Sequence, residues 1–163
     1  LASDDGGPGF PVFYDEPDDG LPDRIGGDNM LTANFYCSIA RSVAEDFDEE
    51  PRAIARPSLY GHGLLGSGEE ALRGTGANVN IMADNHQMMF CGTDWIGFSE
   101  QYALYATPVL QDFSLFQNVL DRQQQGFLNF MFLVRLLKHE QGLRSDPAFQ
   151  AGGVPVFDNS SVY

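Results

Sequence analysis

The sequence predicts an α/β protein with a mixed, mostly parallel sheet flanked by helices. Three observations support this class: strand-like apolar segments alternate with helical ones, a glycine-rich turn follows one strand, and 163 residues make about one domain. Alternation of this kind joins parallel strands through helices, which then cover both faces of the sheet. Three or four strands leave an edge exposed, so we expect the sheet to be incomplete in this chain.

The composition excludes several classes of protein. Hydrophobic residues make up 43% and aromatic residues 12% of the chain, too much for a disordered protein. A formal net charge of −14 argues against nucleic acid or an anionic membrane as a partner. No stretch reaches the roughly 20 apolar residues needed to cross a bilayer. The sequence shows no initiating Met and no signal peptide, so we expect a mature or excised piece.

Residues 1–30 are predicted to form an acidic segment, rich in Gly, Pro and Asp, with irregular structure. Clustered carboxylates around a glycine turn are typical of calcium loops, because hard cations prefer oxygen ligands. The candidate ligands are Asp15, Asp18, Asp19 and Asp23. The regular spacing of a calcium loop and its distal Glu are missing, so a solvated acidic loop is the alternative. No other cofactor is expected.

Apolar and β-branched residues predict the strands. The first covers residues 32–39, and the second covers residues 57–60 after a charged connection. Residues 88–97 predict a third strand with its exit loop, and residues 154–163 begin another extended segment.

Cys37 and Cys91 each lie in one of the predicted strands. If the strands are neighbours, the two residues can form a disulfide, which would suit an extracytoplasmic compartment. Two buried free thiols are the other interpretation, and the spacing does not decide between them.

Helical patterns fill the intervals between the strands. Residues 67–83 predict a helix with Ser67 as its N-cap, although two glycines weaken it. Thr107 and Pro108 predict the start of the next helix, as an N-cap followed by proline at the first helical position. Beyond a glycine, the apolar residues 127–137 predict a buried helix. A cap helix that faces a lipid-like substrate is the alternative for this segment.

The glycine-rich turn 61–66 is the main candidate for chemistry. A strand, a sharp turn and a helix in this order point free backbone N–H groups at one spot, which suits an oxyanion formed during acyl transfer. By position, the N–H of Leu64 is the first candidate donor and that of Leu65 the second. His62 and Gly63 are expected to set the geometry of the loop. A glycine-rich turn without chemistry is the alternative.

Asp94 and Trp95 lie at the carboxyl end of a predicted strand, where α/β folds place their sites. Both are therefore candidates for lining a pocket, with a core anchor as the alternative for Trp95. Ser99 follows Gly97 in half of a nucleophile elbow without its second glycine, so a helix N-cap explains it better. The sequence contains no zinc spacing, P-loop or dinucleotide fingerprint.

Beyond the turn, several segments together resemble a group of large, poorly characterised, exported bacterial proteins with an α/β-hydrolase domain. The turn itself resembles the His-Gly oxyanion loop of lipases and esterases. The segments that carry the resemblance are residues 19–24, 32–37, 56–66, 93–97, 125–130 and 146–150. The resemblance, which these short segments carry, extends over most of the chain.

The resemblance implies that residues 31–163 are the N-terminal half of an α/β-hydrolase-like domain and end before the nucleophile strand. Nucleophile, acid and catalytic histidine would all lie downstream, because the triad follows the order Ser, Asp or Glu, His in this fold. The implied function is that of an exported serine hydrolase of the esterase or lipase type, located at the cell surface, in the periplasm or outside the cell.

The resemblance also implies a partner for this chain, namely the remainder of its own hydrolase domain or another copy. The alternative function is non-catalytic. An extracellular structural or adhesive protein can keep the α/β-hydrolase fold without its activity, since a fold does not determine a function.

Overall fold

A computed structural model describes residues 31–45, 53–73 and 77–163 of the protein. Strands β1 (Phe35–Ser38), β2 (Arg56–Tyr60) and β3 (Met88–Thr93) form a three-stranded sheet in the order β1-β3-β2. β3 pairs antiparallel with β1 and parallel with β2. Helices with a mixed sheet agree with the predicted α/β class. The sheet was predicted to be mostly parallel, whereas its three strands make one parallel and one antiparallel pairing.

β3 is the central strand and is buried on both faces. Met89 and Cys91 are fully buried, and Phe90 between them is almost so. Successive side chains of a strand point to opposite faces, so both faces of β3 are covered. The helices that contact this strand include α3 (Ala77–His86) and α5 (Phe116–Lys138).

Cys37 and Cys91 form a disulfide. They are direct partners in the antiparallel pairing of β1 with β3, so the register itself brings the two side chains together. Of the two interpretations that the sequence left open, the structure contains the disulfide.

Two short helices, α1 and α2, follow strands β1 and β2 in the chain. α1 (Arg41–Glu45) follows β1, and its first amide donates a hydrogen bond of 2.8 Å to Asp84 Oδ1 on α3. α2 (Glu70–Arg73) occupies the first part of the helix predicted for residues 67–83, and α3 continues it. The interval 74–76, which contains the two weakening glycines, lies outside the described residues.

Ser67 caps the entry to α2, as predicted. Its Oγ accepts a hydrogen bond of 3.2 Å from the amide of Glu69, and its own amide donates to Glu70 Oε1 at 3.1 Å. This reciprocal arrangement is a capping box, which satisfies amides that the first turn of a helix leaves open.

The predicted start of the next helix is wrong. α4 runs from Ala103 to Gln111, so Thr107 is not its N-cap and Pro108 lies inside it. Thr107 Oγ1 instead donates to the carbonyl of Ala103, one turn earlier, at 3.3 Å. A 3₁₀ helix, Glu100–Tyr102, leads directly into α4. Helical structure therefore begins several residues before Pro108.

α5 is one helix of 23 residues that runs through Gly126. A short 3₁₀ helix, Phe113–Leu115, precedes it. A Cβ at position 126 would overlap Trp95 Cδ1, so glycine allows the helix to contact the indole ring directly. This packing outweighs the roughly 1 kcal/mol by which glycine disfavours a helix.

Along much of its length, α5 buries polar side chains and exposes apolar ones. Gln125 and Asn129 are buried and bonded to each other at 3.0 Å. The exposed apolar residues of the helix are Phe116, Leu120, Phe127, Met131, Phe132 and Leu136. The prediction of burial for residues 127–137 is therefore wrong on this side, while Leu133 and Leu137 belong to the core. In the ranges that the structure covers, no helix is long and apolar enough to span a bilayer.

A small hairpin follows α5 and two 3₁₀ helices, Leu143–Ser145 and Pro147–Phe149. Its strands are β4 (Gln150–Ala151) and β5 (Val154–Pro155), which pair antiparallel. Phe157, just beyond the hairpin, is fully buried and packs with the core cluster around β3.

The last residues of the chain lie along the outer edge of β2. The amide of Leu59 donates to the carbonyl of Tyr163 at 2.7 Å, and the amide of Tyr163 donates to the carbonyl of Pro57 at 3.0 Å. This pair of hydrogen bonds is one step of a parallel ladder. Ala55 and Phe157 form a second parallel bridge on the same edge.

Candidate functional site

The glycine-rich loop, residues 61–68, leaves the carboxyl end of β2 and leads into α2. Because β2 and β3 are parallel, their carboxyl ends lie at the same edge of the sheet. The β3 exit segment, residues 94–100, therefore runs beside the loop. Hydrogen bonds between these two segments build the candidate site.

His62 is the buried centre of the loop, with 5% of its surface exposed. Its Nε2 accepts a hydrogen bond from the amide of Trp95 at 2.8 Å, so Nε2 carries no proton. Its Nδ1 lies 2.7 Å from the carbonyl oxygen of Gly63, which only accepts, so Nδ1 carries the proton. Both nitrogens of a neutral imidazole are thus engaged. This arrangement suits a role in loop geometry and leaves no nitrogen for a general base.

Further hydrogen bonds hold the loop against the β3 exit segment. They join the amide of Leu65 to the carbonyl of Phe98 at 2.6 Å, the amide of Glu100 to the carbonyl of Gly66 at 2.9 Å, and the amide of Gly68 to Asp94 Oδ1 at 2.8 Å. Asp94 Oδ1 also accepts from Ser67 Oγ at 3.2 Å. The sequence points to the loop and to Asp94 separately, but not to the hydrogen bonds that unite them.

Gly68 allows the end of the loop to touch the backbone of β3. A Cβ at this position would lie 2.6 Å from the carbonyl carbon of Thr93 and 2.8 Å from its Cα. Gly92 faces it from β3, where a Cβ would lie 2.8 Å from the carbonyl oxygen of Gly68. Both obstacles are backbone atoms, so neither can yield by a rotamer change. The two glycines therefore set the distance between loop and strand.

Leu64 carries the open amide of the loop. The amides of residues 65–70 all donate hydrogen bonds to acceptors in the loop, in α2 or in the β3 exit segment. The amide of Leu64 has no acceptor among the described residues, and its side chain is 70% exposed. The amide of Leu65, the second candidate donor, is occupied by the carbonyl of Phe98 and is not available to an oxyanion.

Leu65 also has an unusual backbone conformation. Its φ of 60° lies in the left-handed region, which residues other than glycine seldom adopt. Conformations of this kind cost about 1–3 kcal/mol and cluster at functional turns. Here the hydrogen bond from the Leu65 amide to Phe98 holds the conformation in place.

Trp95 and Asp94 have different surroundings. The indole ring of Trp95 is half-buried and packs edge-on against Phe127 and Phe130 of α5, with ring centroids 4.9 and 5.4 Å away, so it joins the β3 exit segment to α5 outside the core cluster around β3. Asp94, in contrast, lines a groove of about 430 Å³ beside the loop. Ser99 occupies the N-cap position of the 3₁₀ helix, but its side chain makes no capping hydrogen bond.

Metal binding is not indicated by the part of the chain that the structure describes. Within residues 31–45, 53–73 and 77–163, no three His, Cys, Asp or Glu side chains are grouped so that they could hold an ion. The calcium candidates Asp15, Asp18, Asp19 and Asp23 lie outside these ranges, so that expectation stays a prediction.

No family model, no curated protein and no solved structure matches this chain. The fold and the site together define a mixed α/β protein with a hydrogen-bonded glycine loop at the carboxyl ends of two parallel strands.

His62→Ala is expected to lower the free energy of unfolding by about 2 kcal/mol, because the amide of Trp95 then loses its acceptor. In a thermal unfolding curve followed by circular dichroism, this corresponds to a fall in Tm of about 6 °C. His86→Ala is the matched control, since His86 is exposed at the end of α3, and we expect a change below about 0.5 kcal/mol. Equal Tm values for the two variants would contradict the role assigned to His62.

Proposed function

We propose that this chain supplies the oxyanion loop of a serine-hydrolase-type protein of the esterase or lipase class. The open amide of Leu64, on a loop whose following amides are all engaged, is the observation that carries the proposal. In α/β-hydrolases one oxyanion donor comes from a loop between a strand and a helix, and the other from the residue after the nucleophile. A single donor of this kind contributes about 3 kcal/mol to transition-state stabilisation.

The outer edge of β2 supports the proposal. Tyr163 pairs in parallel with β2, and beyond it the carbonyl of Leu59 and the amide of Gly61 have no partner in the described ranges. A strand that continues from Tyr163 in a longer polypeptide, or one from a second chain, would reach these two groups two residues later. Its carboxyl end would then lie beside the loop, close to the amide of Leu64.

In the proposed reaction a serine oxygen attacks the ester carbonyl, and negative charge develops on the carbonyl oxygen as the tetrahedral intermediate forms. The N–H of Leu64 donates to that oxygen. His62 keeps the loop in place without exchanging a proton, because both of its nitrogens are engaged. In this proposal the serine, the acid and the catalytic histidine lie outside the described residues.

We also infer an exported protein, located outside the cell, at its surface or in the periplasm. The support is the disulfide between Cys37 and Cys91, since disulfides form and persist in oxidising compartments.

The test compares two substitutions at Leu64 in a polypeptide extended past Tyr163. The extended protein is expected to hydrolyse p-nitrophenyl butyrate, and Leu64→Pro, which removes the N–H, is expected to lower kcat about 100-fold. Leu64→Ala keeps the N–H and is the matched control, with kcat close to that of the unsubstituted protein. Equal kcat values for the two variants would overturn the assignment of the donor.

A fluorophosphonate probe tests the location of the nucleophile. We expect it to leave residues 1–163 unlabelled and to label a serine beyond Tyr163. Labelling of a serine within 1–163 would contradict the proposal. A folded, extended protein that neither reacts with the probe nor hydrolyses esters would favour the structural or adhesive alternative.

A further inference from the structure

One side of α5 carries a row of large apolar side chains. Phe116, Leu120, Phe127 and Met131 are all exposed, although residues of these types are usually buried in globular proteins. At 3.6 residues per turn, the four positions lie within about 60° of one another around the helix axis. They therefore form one continuous row, which we call the α5 stripe.

The spacing of the α5 stripe is symmetric. Its residues follow one another at intervals of four, seven and four positions, so the row is the same in both directions from a centre beside Gln124. In an antiparallel pair of α5 helices with a two-fold axis at this centre, Phe116 lies opposite Met131 of the second copy, and Leu120 lies opposite Phe127. A two-fold interface has to be complementary to itself. The α5 stripe meets this condition in the antiparallel orientation.

The charges of α5 favour a second copy of this acidic chain at the stripe. Its exposed charged residues, Arg135 and Lys138, are both basic, and its single carboxylate, that of Asp121, is buried. The repulsion that arises from a net charge of −14 is therefore weaker along α5 than the average over the chain would suggest.

The charges at the two ends of the stripe favour the antiparallel orientation. Asp112, just ahead of α5, and Arg135 are equally far in sequence from the centre of the stripe. Both are exposed, and neither has an ion-pair partner in the described ranges. An antiparallel pair places the carboxylate at the level of the guanidinium of the second copy, whereas a parallel pair would bring like charges together. Charges beside an apolar seam set the orientation of paired helices in this way.

The apolar area suits a weak interface. Phe113, one turn ahead of the stripe, is 74% exposed and extends it. With this residue the apolar side chains expose roughly 550 Å² per copy, so that two copies and their polar neighbours approach the lower end of specific interfaces, about 1,200 Å². We therefore expect reversible association with a Kd in the micromolar range.

We propose that the protein forms a two-fold symmetric dimer in which the α5 stripes of two copies pack antiparallel. The helices cross at about 20°, as helices with apolar residues near a seven-residue repeat do. The side chain of Gln124 lies next to its counterpart at the axis, where a polar residue specifies the register of the pair. This dimer goes beyond the proposed hydrolase function, because it involves neither the amide of Leu64 nor the outer edge of β2.

Sedimentation equilibrium of the full chain tests the dimer. We expect the mass to rise with concentration from 17.9 kDa to twice that value and no further. Met131→Glu places a charge at an exposed position of the stripe and should raise the Kd at least about 50-fold, because the charge would be buried without a partner. Ile81→Glu is the matched control at an exposed apolar residue of α3, and its Kd should equal that of the unsubstituted protein. Circular dichroism checks that both variants fold.

Crosslinking tests the orientation independently of the glutamate variants. The two native cysteines are joined to each other, so an added thiol is the only reactive one. Under oxidation by a copper–phenanthroline complex, Gln124→Cys should give a covalent dimer. Lys138→Cys should not, since the two copies of this position lie about 40 Å apart in an antiparallel pair. A parallel pair would crosslink in both variants.

Four results would overturn the proposal: a mass of one copy up to millimolar concentration, growth beyond two copies, an unchanged Kd in Met131→Glu, or crosslinking of Lys138→Cys as fast as that of Gln124→Cys. A monomer that binds phosphatidylcholine vesicles, and loses this binding in Met131→Glu, would assign the stripe to a lipid surface instead. None of these results bears on the proposed hydrolase function, which the Leu64 variants test separately.

Discussion

Loss of the Cys37–Cys91 disulfide is expected to lower the free energy of unfolding by about 4 kcal/mol. The two residues are 54 positions apart, and a crosslink of that span removes about this much conformational freedom from the unfolded chain. In the folded state, the ladder between β1 and β3 keeps its register without the crosslink. The effect therefore acts mainly on the unfolded state, and Tm should fall by about 12 °C.

Thermal unfolding with and without a reductant measures this difference. The double variant Cys37→Ser with Cys91→Ala is the control, since it should melt with the reduced protein and show no response to the reductant. If reduction shifted Tm by less than about 2 °C, the stabilising role of the disulfide would be refuted.

Gly68→Ala is expected to destabilise the fold by about 3 kcal/mol, the upper end of what overpacking usually costs. The added Cβ would stand 2.6 Å from the carbonyl carbon of Thr93, and only a backbone shift can relieve the contact. That shift pulls the amide of Gly68 away from Asp94 Oδ1, so a hydrogen bond weakens as well. We expect Tm to fall by about 9 °C.

Gly63→Ala is the matched control for Gly68→Ala. It lies in the same loop, but nothing is within 4 Å of its added Cβ, so the free energy of unfolding should change by less than about 0.5 kcal/mol. Both variants are measured by thermal unfolding, with the fluorescence of Trp95 as a local probe. A larger loss in Gly63→Ala than in Gly68→Ala would show that the loop does not rest on Thr93 as described.

The strands of the sheet could be predicted from the sequence because they are short apolar segments with clear boundaries. The strand predicted for residues 57–60 is extended by one residue in β2, and the one predicted for residues 32–39 contains β1. The order and direction of the strands were harder to predict, since they depend on pairing between segments that are distant in the sequence. The antiparallel pairing of β1 with β3, which also forms the disulfide, is of this kind.

The helices after β3 show where local signals fail. Gly126 is a helix breaker by intrinsic preference, yet contact with the indole of Trp95 keeps it helical. Pro108 is typical of the first position of a helix, but here the chain is already helical from Glu100 onwards. An apolar segment such as 127–137 does not reveal which of its sides is covered, because that depends on what packs against the helix.

The candidate site was predictable in part. The order of strand, glycine turn and helix identified the loop and the position of Leu64. The sequence ranked Leu64 before Leu65 by position alone, and only the structure shows that the carbonyl of Phe98 occupies the amide of Leu65. The sequence also did not identify residues 94–100 as the support of the loop, since hydrogen bonds to a segment about 30 residues away leave no local pattern.

The exposed apolar side chains of α5 are expected to favour contacts between copies of this protein at high concentration. A charge of −14 repels identical molecules, but dissolved ions screen that repulsion beyond about 8 Å at physiological ionic strength. Attraction between exposed side chains such as Phe127 and Met131 is not screened in this way. We therefore expect colloidal stability to decline as salt is added and to be highest at low ionic strength.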